Sequence, residues 1–564
     1  MSHRSEGAGP KPDDRDDHNR REDHGDGGDL LVAVLREQGT EVVFGVVSVH
    51  NMPLVEAVDR ELRFVPVRHE AAAVNAADAH ARVTGGLGVA LTSTGTGSGN
   101  AAGSLIEAQS GGASVLHITG QIDSRYLGLG RGVIHETRDQ TGLLRAVSHH
   151  TTTVRPGADA GALLRYAAGR ARTPPRGPVS VEWPIDLQYA RQPLSGPLAP
   201  VAAPPEADRA QLADAARLLA TARRPLIWAG GGAREAQGAL RTLAERLGAP
   251  VLSSNAGRGA LPEDHPLAVG NFAASPAGRE LLTDCDLLLS VGTHFRSNET
   301  ADYSIPVPAR HVQIDIDPRA IGRVFPTAAG VVGAAAPVLT ALLELLGEHI
   351  CEEGWRERGA AAAARARAAL RTAIGPHALI CDTLRDRFPR ESVIARDVTI
   401  ASSQWGNRLL EIHHPTTNLF PLGGGIGQGL AMGIGGAIAR PDAPTLVIAG
   451  DGGLAVHLGE LGTLAQERPW LVLCVFNDGG YGVLRNMQDA HGSRRSGVDL
   501  ATPDFAVLAA AYGLPFQRVT AVDDFPGALD KSLATRGPCL IEIDVNAIGP
   551  TPVPFTPPVS IPGS

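Results

Sequence analysis

The stretch LVIAGDGG (446–453), followed by LVLCVFNDGGYG (471–482), decides how this chain reads. Each half is an apolar, β-branched run that breaks at glycine beside an oxygen-bearing side chain, the pattern of a buried parallel strand entering a turn. The first run delivers Asp451 to its carboxyl end, and the second ends 27 positions later at Asn477 and Asp478. In a parallel sheet both ends lie on one edge, where ligands bind. Oxygen-bearing side chains there, with a carbonyl from Gly479 or Gly480, make a hard-cation site. Gly450, Gly452 and Gly453 let backbone N–H groups approach an anion. A divalent ion held this way keeps water and phosphate oxygens as its other ligands, the habit of Mg2+.

The same alternation extends outward over most of the 564 residues. Short β-rich runs, such as 41–47, 88–92, 114–119 and 179–183, are separated by alanine-rich helical stretches. Further runs at 225–228, 250–253, 287–291 and 311–316 form a second block, and 392–395, 445–449, 472–476 and 540–544 a third. The fold class expected is α/β, with three doubly wound parallel-sheet domains. Their spans are 30–190, 207–345 and 374–547, with a proline-containing linker at 191–206 and an exposed helical linker at 346–373. Residues 1–29, with nine acidic and five basic side chains, read as a disordered tail. Residues 548–564 read as an extended, proline-rich tail. The first and third blocks each place a glycine-rich turn before a small-residue helix, a repeat that composition supports only weakly.

Composition excludes several classes. A net charge of −9 and a pI near 6.1 argue against coating nucleic acid or a membrane surface. No apolar run approaches the ~18–20 residues of a membrane helix. Only Lys11 and Lys531 are lysines, so neither a phosphate-loop NTPase nor a Schiff-base enzyme is supported. Five scattered cysteines form no CxxC pair, and the start has no apolar signal region, so a reducing cytoplasm is expected.

The paired GDG and Asn-Asp strand ends resemble the thiamine-diphosphate motif of the acetolactate synthase, pyruvate decarboxylase and benzoylformate decarboxylase superfamily. The resemblance covers nearly the whole chain: VFGVVSVHNMPLVEAV, RHEAAAVNAADAHARVTG, TSTGTGSGN, HITGQIDSRYLG and HETRDQTG are similar to its pyrimidine-binding domain. WAGGGA, NAGRGALPEDHP and VQIDIDP are similar to its central Rossmann-like domain, and the third block to its diphosphate-binding domain. The resemblance implies thiamine diphosphate and Mg2+ as cofactors. It also implies Mg2+ ligands at Asp451, Asp478 and the Gly480 carbonyl, with Asn477 as the alternative to Asp478. Asp478 stands where the family usually has asparagine. Glu70 matches the carboxyl that shares a proton with the pyrimidine ring, and Ile426, beside Gly425, matches the apolar wedge that bends the cofactor. Thr399 matches a loop that meets the diphosphate, and Tyr481 follows the metal loop. Gln121 and His50, with His117 and His135 nearby, fall in loops matched to the substrate side. Arg296 and the Gly230–Gly232 turn are the candidate contacts for an FAD that some relatives carry. The implied activity is 2-oxo acid decarboxylation with transfer of the acyl carbanion to a second carbonyl, as in acetolactate synthases. The alternatives are a benzoylformate-type lyase releasing an aldehyde and, more remotely, a non-catalytic regulatory paralogue. Met487 replaces the tryptophan that helps synthases choose their acceptor. A homodimer, or a tetramer of such dimers with sites between subunits, is expected, acting on a small 2-oxo acid.

Overall fold

The computed structural model describes residues 24–197 and 203–558. Three six-stranded sheets succeed one another along the chain, and every pairing within them is parallel. The first comprises β1 (Val42–Gly45), β2 (Arg63–Pro66), β3 (Gly88–Thr92), β4 (Val115–Gln121), β5 (His150–Thr153) and β6 (Val179–Pro184), ordered β2-β1-β3-β4-β6-β5. The middle sheet comprises β7 (Pro225–Ala229), β8 (Val251–Ser253), β9 (Ala268–Gly270), β10 (Leu287–Val291), β11 (His311–Asp315) and β12 (Ala329–Val332). Its order, β9-β8-β7-β10-β11-β12, is that of a Rossmann sheet. The third comprises β13 (Ile394–Arg396), β14 (Asn418–Leu419), β15 (Thr445–Gly450), β16 (Leu471–Asn477), β17 (Phe516–Val519) and β18 (Cys539–Asp544), ordered β14-β13-β15-β16-β18-β17. First and third sheets therefore share one strand order, so the repeat that composition supports only weakly is a full topological match.

Five helices bear on how these sheets are joined and where the site lies: α1 (Gly27–Glu37), α2 (Glu70–Thr84), α3 (Thr96–Gly111), α4 (Trp355–Ile374) and α5 (Gly429–Ala439). One apolar core is shared between the first and third domains, with Ala72, Ala73 and Ala76 of α2 packed with Leu430 and Ile434 of α5. The approach is backbone-close: a Cβ on Gly435 would lie 2.2 Å from the Ala76 carbonyl oxygen. The middle domain docks on the third through Arg258. Its guanidinium pairs with Glu263 and donates to the carbonyls of Gly406 (2.8 Å) and Leu410 (2.6 Å). Among the described residues, no helix is long and apolar enough to cross a membrane.

Four boundaries differ from the expected ones. The tail does not extend to Asp29, because α1 starts at Gly27 with Asp26 as its N-cap in a capping box with Asp29; residues 1–23 of that tail lie outside the described residues. In the linker, Gln192 and Pro193 pair antiparallel with His24 and Gly25, and residues 198–202 lie outside the described residues. The helical linker is α4 preceded by a non-helical stretch at 346–354, and α4 is not simply exposed. It buries Trp355, Ala362, Ala363 and Ala366 against the middle domain, and the Trp355 indole donates to the Pro225 carbonyl. Finally, the segment after Gly549 is not a free tail. Val553 N donates to Ala373 O, while Gln404 and Asn486 donate to the carbonyls of Val553 and Phe555. Residues 559–564 lie outside the described residues.

Candidate active site

At the carboxyl edge of the third sheet, β15 ends at Gly450 and a short helix begins at once with Asp451. Its Oδ1 accepts from the Asp478 N–H at 3.2 Å, which ties the end of β15 to the turn after β16. Asp451 Oδ2 and Asp478 Oδ1 are both buried and have no hydrogen-bond partner. Burial pushes the Asp451 carboxyl above its usual range. Burial and then the charge of Asp451 push Asp478 up to about 6, with Arg485 opposing. Two carboxylates that each keep a buried oxygen free of hydrogen bonds form a donor set that would suit a hard divalent ion.

The neighbouring residues sharpen the choice between Asn477 and Asp478. The Asn477 amide donates to Glu542 at 2.8 Å and its oxygen accepts from Gly479 N at 3.3 Å, so its polar atoms are already engaged. Arg485 Nη1 stands 3.8 Å from Asp478 Oδ1, and the guanidinium also donates to the carbonyls of Asp478 and Gly479. Gly480 has φ +146°, and a Cβ there would meet the Val498 carbonyl at 2.1 Å, so the turn requires glycine. Tyr481 N then donates to that same carbonyl. Thr399 and Ile400 line a cavity of about 300 Å³ together with Asp478, Gly482, Arg485 and Arg495, and Thr399 lies against Gly450. Gly452 sits beside the Gly480 carbonyl and the Tyr481 ring, and Gly453 beside Asp397.

The first sheet presents a second cluster at its corresponding edge. Glu70 opens α2, is 8% exposed, and accepts from Asn100 at 3.0 Å. A Cβ on Gly97 would stand 2.6 Å from Glu70 Oε1, so glycine in the first turn of α3 makes room for that carboxylate. Gln121 ends β4, and both ends of its amide are used: Oε1 accepts from Ile122 N and Thr94, and Nε2 donates to the buried Glu182. Glu182 also accepts from Gln140, Thr141 and Thr153. His50 and His135 face each other Nδ1 to Nδ1 at 3.4 Å; burial, then His135, lower the His50 pKa. His117 is not at the edge at all. It is fully buried between Thr92 and Ser180 and pushed down to about 3 by burial, a neutral core residue.

Thus the structure gathers Asp451, Asp478, Gly480, Gly450, Gly452, Tyr481 and Thr399, and separately Glu70, Gln121 and His50. Among the described residues no hydrogen bond joins the Glu70 carboxylate to the Asp451 cluster. Two buried carboxylates that the sequence does not flag, Asp397 and Glu107, hold the loop carrying Gly425 and Ile426. No motif marks Glu107, which sits mid-helix in a small-residue run.

Profiles of the thiamine pyrophosphate enzymes match in three segments: the N-terminal TPP binding domain over residues 25–143, the central domain over 212–342, and the C-terminal TPP binding domain over 399–543. The chain belongs to the thiamine pyrophosphate enzyme family. Among its relatives is a Pseudomonas aeruginosa protein named "Probable 2-ketoarginine decarboxylase AruI", 33% identical over 92% of this chain and 93% of the relative. Another is the Escherichia coli acetolactate synthase isozyme 2 large subunit, 28% identical over 93% of this chain and 96% of the relative. In fold, the chain matches a solved Mycobacterium smegmatis structure described as a thiamin diphosphate-dependent enzyme. The TM-score is 0.77 at 23% identity, over 93% of this chain and 99% of that one. The protein is accordingly a thiamine-diphosphate-dependent enzyme of transferase or carboxy-lyase type.

The residues expected to meet a flavin make contacts between domains and loops. Arg296 spends its guanidinium on the carbonyls of Ser110 in the first domain and Leu422 in the third. The N–H groups of Gly230 and Gly232 donate to the carbonyls of Val291 and Gly292. Both features pack the domains and loops together.

Proposed function

We propose that this enzyme decarboxylates a 2-oxo acid, with Mg2+ held by Asp451, Asp478 and the Gly480 carbonyl anchoring the cofactor's diphosphate. The observation that carries this is the pair of buried oxygens on Asp451 and Asp478 that accept no hydrogen bond. The prior engagement of Asn477 supports Asp478 as the ligand, and Arg485 offsets the charge by which this site departs from the family pattern. Thr399 lies where the diphosphate end would be received.

When bound, thiamine diphosphate supplies a nucleophilic thiazolium carbon and an electron sink for loss of CO2. The chain's own contribution is proton placement, orientation and exclusion of water. Glu70, kept in place by Asn100, holds a proton at the pyrimidine ring nitrogen. Ile426 would be an apolar support that orients the bound cofactor. Gln121 and the His50–His135 pair border the substrate side, with Gln121 fixed from behind by Glu182. Because Glu70 and Asp451 occupy separate edges, the site forms between two copies, Glu70 of one facing Asp451 of the other. Exposed apolar residues at both edges support this: Val47, Val49 and Leu129 in the first domain, and Ile426, Val456 and Leu484 in the third.

Two fates of the acyl carbanion remain as readings. Transfer to a second 2-oxo acid accords with the resemblance to acetolactate synthases. Protonation to an aldehyde is favoured by the 33% identity to the 2-ketoarginine decarboxylase-named relative and by Met487. Incubating purified protein with thiamine diphosphate, Mg2+ and either pyruvate or 2-ketoarginine, then analysing products, separates them. Acetolactate marks the first, and an aldehyde with one equivalent of CO2 the second. No CO2 from a panel of 2-oxo acids overturns the proposal.

A further inference from the structure

The loop that carries Ile426 is held in an unusual way. Gly423 N and Gly425 N each donate to Glu107, to Oε2 and Oε1 respectively, both at 2.6 Å. Gly427 N donates to both oxygens of Asp397 at 3.0 Å, and Gly429 N to Asp397 Oδ2 at 3.3 Å. Alternate N–H groups on either side of Ile426 therefore end on carboxylates. The Gly427 carbonyl is taken in turn by His457 Nδ1 at 2.8 Å. Glu107 is 4% exposed and Asp397 1%, while Ile426, between them, is 37% exposed. The flanks are fixed and the side chain projects.

We propose that Glu107 and Asp397 are paired positioning residues that set the Ile426 side chain from two different domains. Glu107 lies on α3 of the first domain and Asp397 comes just after β13 of the third, so the position of Ile426 depends on how these domains dock. The chemistry explains the residue type. An ionised carboxylate only accepts, so it can receive two or more N–H groups at once, whereas an amide of the same shape must turn a donor toward one of them. The 2.6 Å bonds from Gly423 and Gly425 to the buried Glu107 are of the charge-assisted kind. The inference rests on the proposed role of Ile426 as the wedge.

The test uses the full chain carrying Glu107→Gln, Asp397→Asn or Ile426→Ala. Amide hydrogen exchange at residues 423–429 is measured with and without thiamine diphosphate and Mg2+. Exchange of the cofactor's C2 proton for deuterium, and half-saturation by thiamine diphosphate, are measured on the loaded protein. In Glu107→Gln the Gly423 and Gly425 amides exchange about tenfold faster even without cofactor, as loss of a charged acceptor requires. C2 exchange slows by about 10–100-fold, the effect of a small misplacement of an orienting group, while half-saturation moves less than about threefold. Ile426→Ala slows C2 exchange without loosening the loop. If Ile426→Ala slows C2 exchange and Glu107→Gln does not, the positioning proposal is overturned and the wedge stands. If the loop loosens in Glu107→Gln but neither variant changes C2 exchange, the wedge reading fails and takes this proposal with it. Should Asp397→Asn not fold, the Glu107→Gln arm decides alone.

Discussion

The first and third domains share a strand order, yet they finish the same two strands with different polar chemistry. In the first, the turn after β3 and the end of β4 bring Thr94 and Gln121 into a closed network with Gln140 around Glu182. The acceptors of that carboxylate are filled by four neutral side chains. In the third, the turns after β15 and β16 bring Asp451 and Asp478 together with an oxygen of each left over. Topology supplies two equivalent ligand edges, and side-chain chemistry decides what each can hold. One edge is a closed polar network that fixes loops; the other keeps two carboxylate oxygens free of hydrogen bonds.

The largest effect expected tests whether the two edges work as one site. Glu70→Gln keeps volume but cannot pass a proton to the ring nitrogen, so turnover falls by roughly 10²–10⁴. Asp451→Ala, which removes a proposed metal ligand, is inactive too. Co-expressing the two inactive chains restores about a quarter of wild-type activity. Half of randomly assembled dimers are mixed, and each mixed dimer has one intact site. No recovery in the co-expressed protein, despite mixed dimers by mass, would place both edges of a site in one chain.

A smaller effect separates the two candidates after β16. Asp478→Ala raises the Mg2+ concentration for half-activation by about 10–100-fold, and Asn477→Ala by a few-fold at most, since Asn477 acts through Glu542. Asp478→Asn retains activity because an amide oxygen still serves Mg2+. Titrating Mg2+ at fixed thiamine diphosphate ranks the three. If Asn477→Ala is the more dependent, the third edge is read one residue out of place.

The smallest effect leaves activity unchanged. His117 stays neutral when folded, with its pKa pushed down to about 3, whereas the unfolded chain binds that proton below about 6.5. Between these values the unfolded state holds more protons, so stability is lost as pH falls from 6.5 toward 3. His117→Gln removes this contribution and flattens the acid side of the stability curve by up to about 1.4 kcal/mol per pH unit. An unchanged slope in unfolding measured from pH 7 to pH 4 would mean the ring is charged inside the first domain.

The same physics decides what is legible in the chain. The twelve runs that read as strands all fall on interior strands of the three sheets, which are buried on both faces and therefore continuously apolar. The edge strands carry no such signal: β2, β5, β9, β12, β14 and β17. They are short, and β5, with sequence HTTT, is only half-buried throughout. Edges are kept short or polar to discourage further pairing, which also removes their periodic signal. At the site, Asp451 and Asp478 are legible because glycines surround them. Glu107, Asp397 and Glu182 are not, because a carboxylate that grips backbone N–H groups or side-chain amides far along the chain leaves no local spacing.

The shared core of α2 and α5 sets a schedule for biosynthesis. Arg82 on α2 donates to the Phe420 carbonyl just before α5, across 338 positions of chain. At translation rates of about 5–20 residues per second, the first half of this core waits roughly 20–70 s for the second. Until then the alanine face of α2, which ends fully covered, is wet and unpaired, and the entire middle domain is made in the interval. The helix that carries Glu70 is thus made before the whole middle domain and is among the last to reach its final packing.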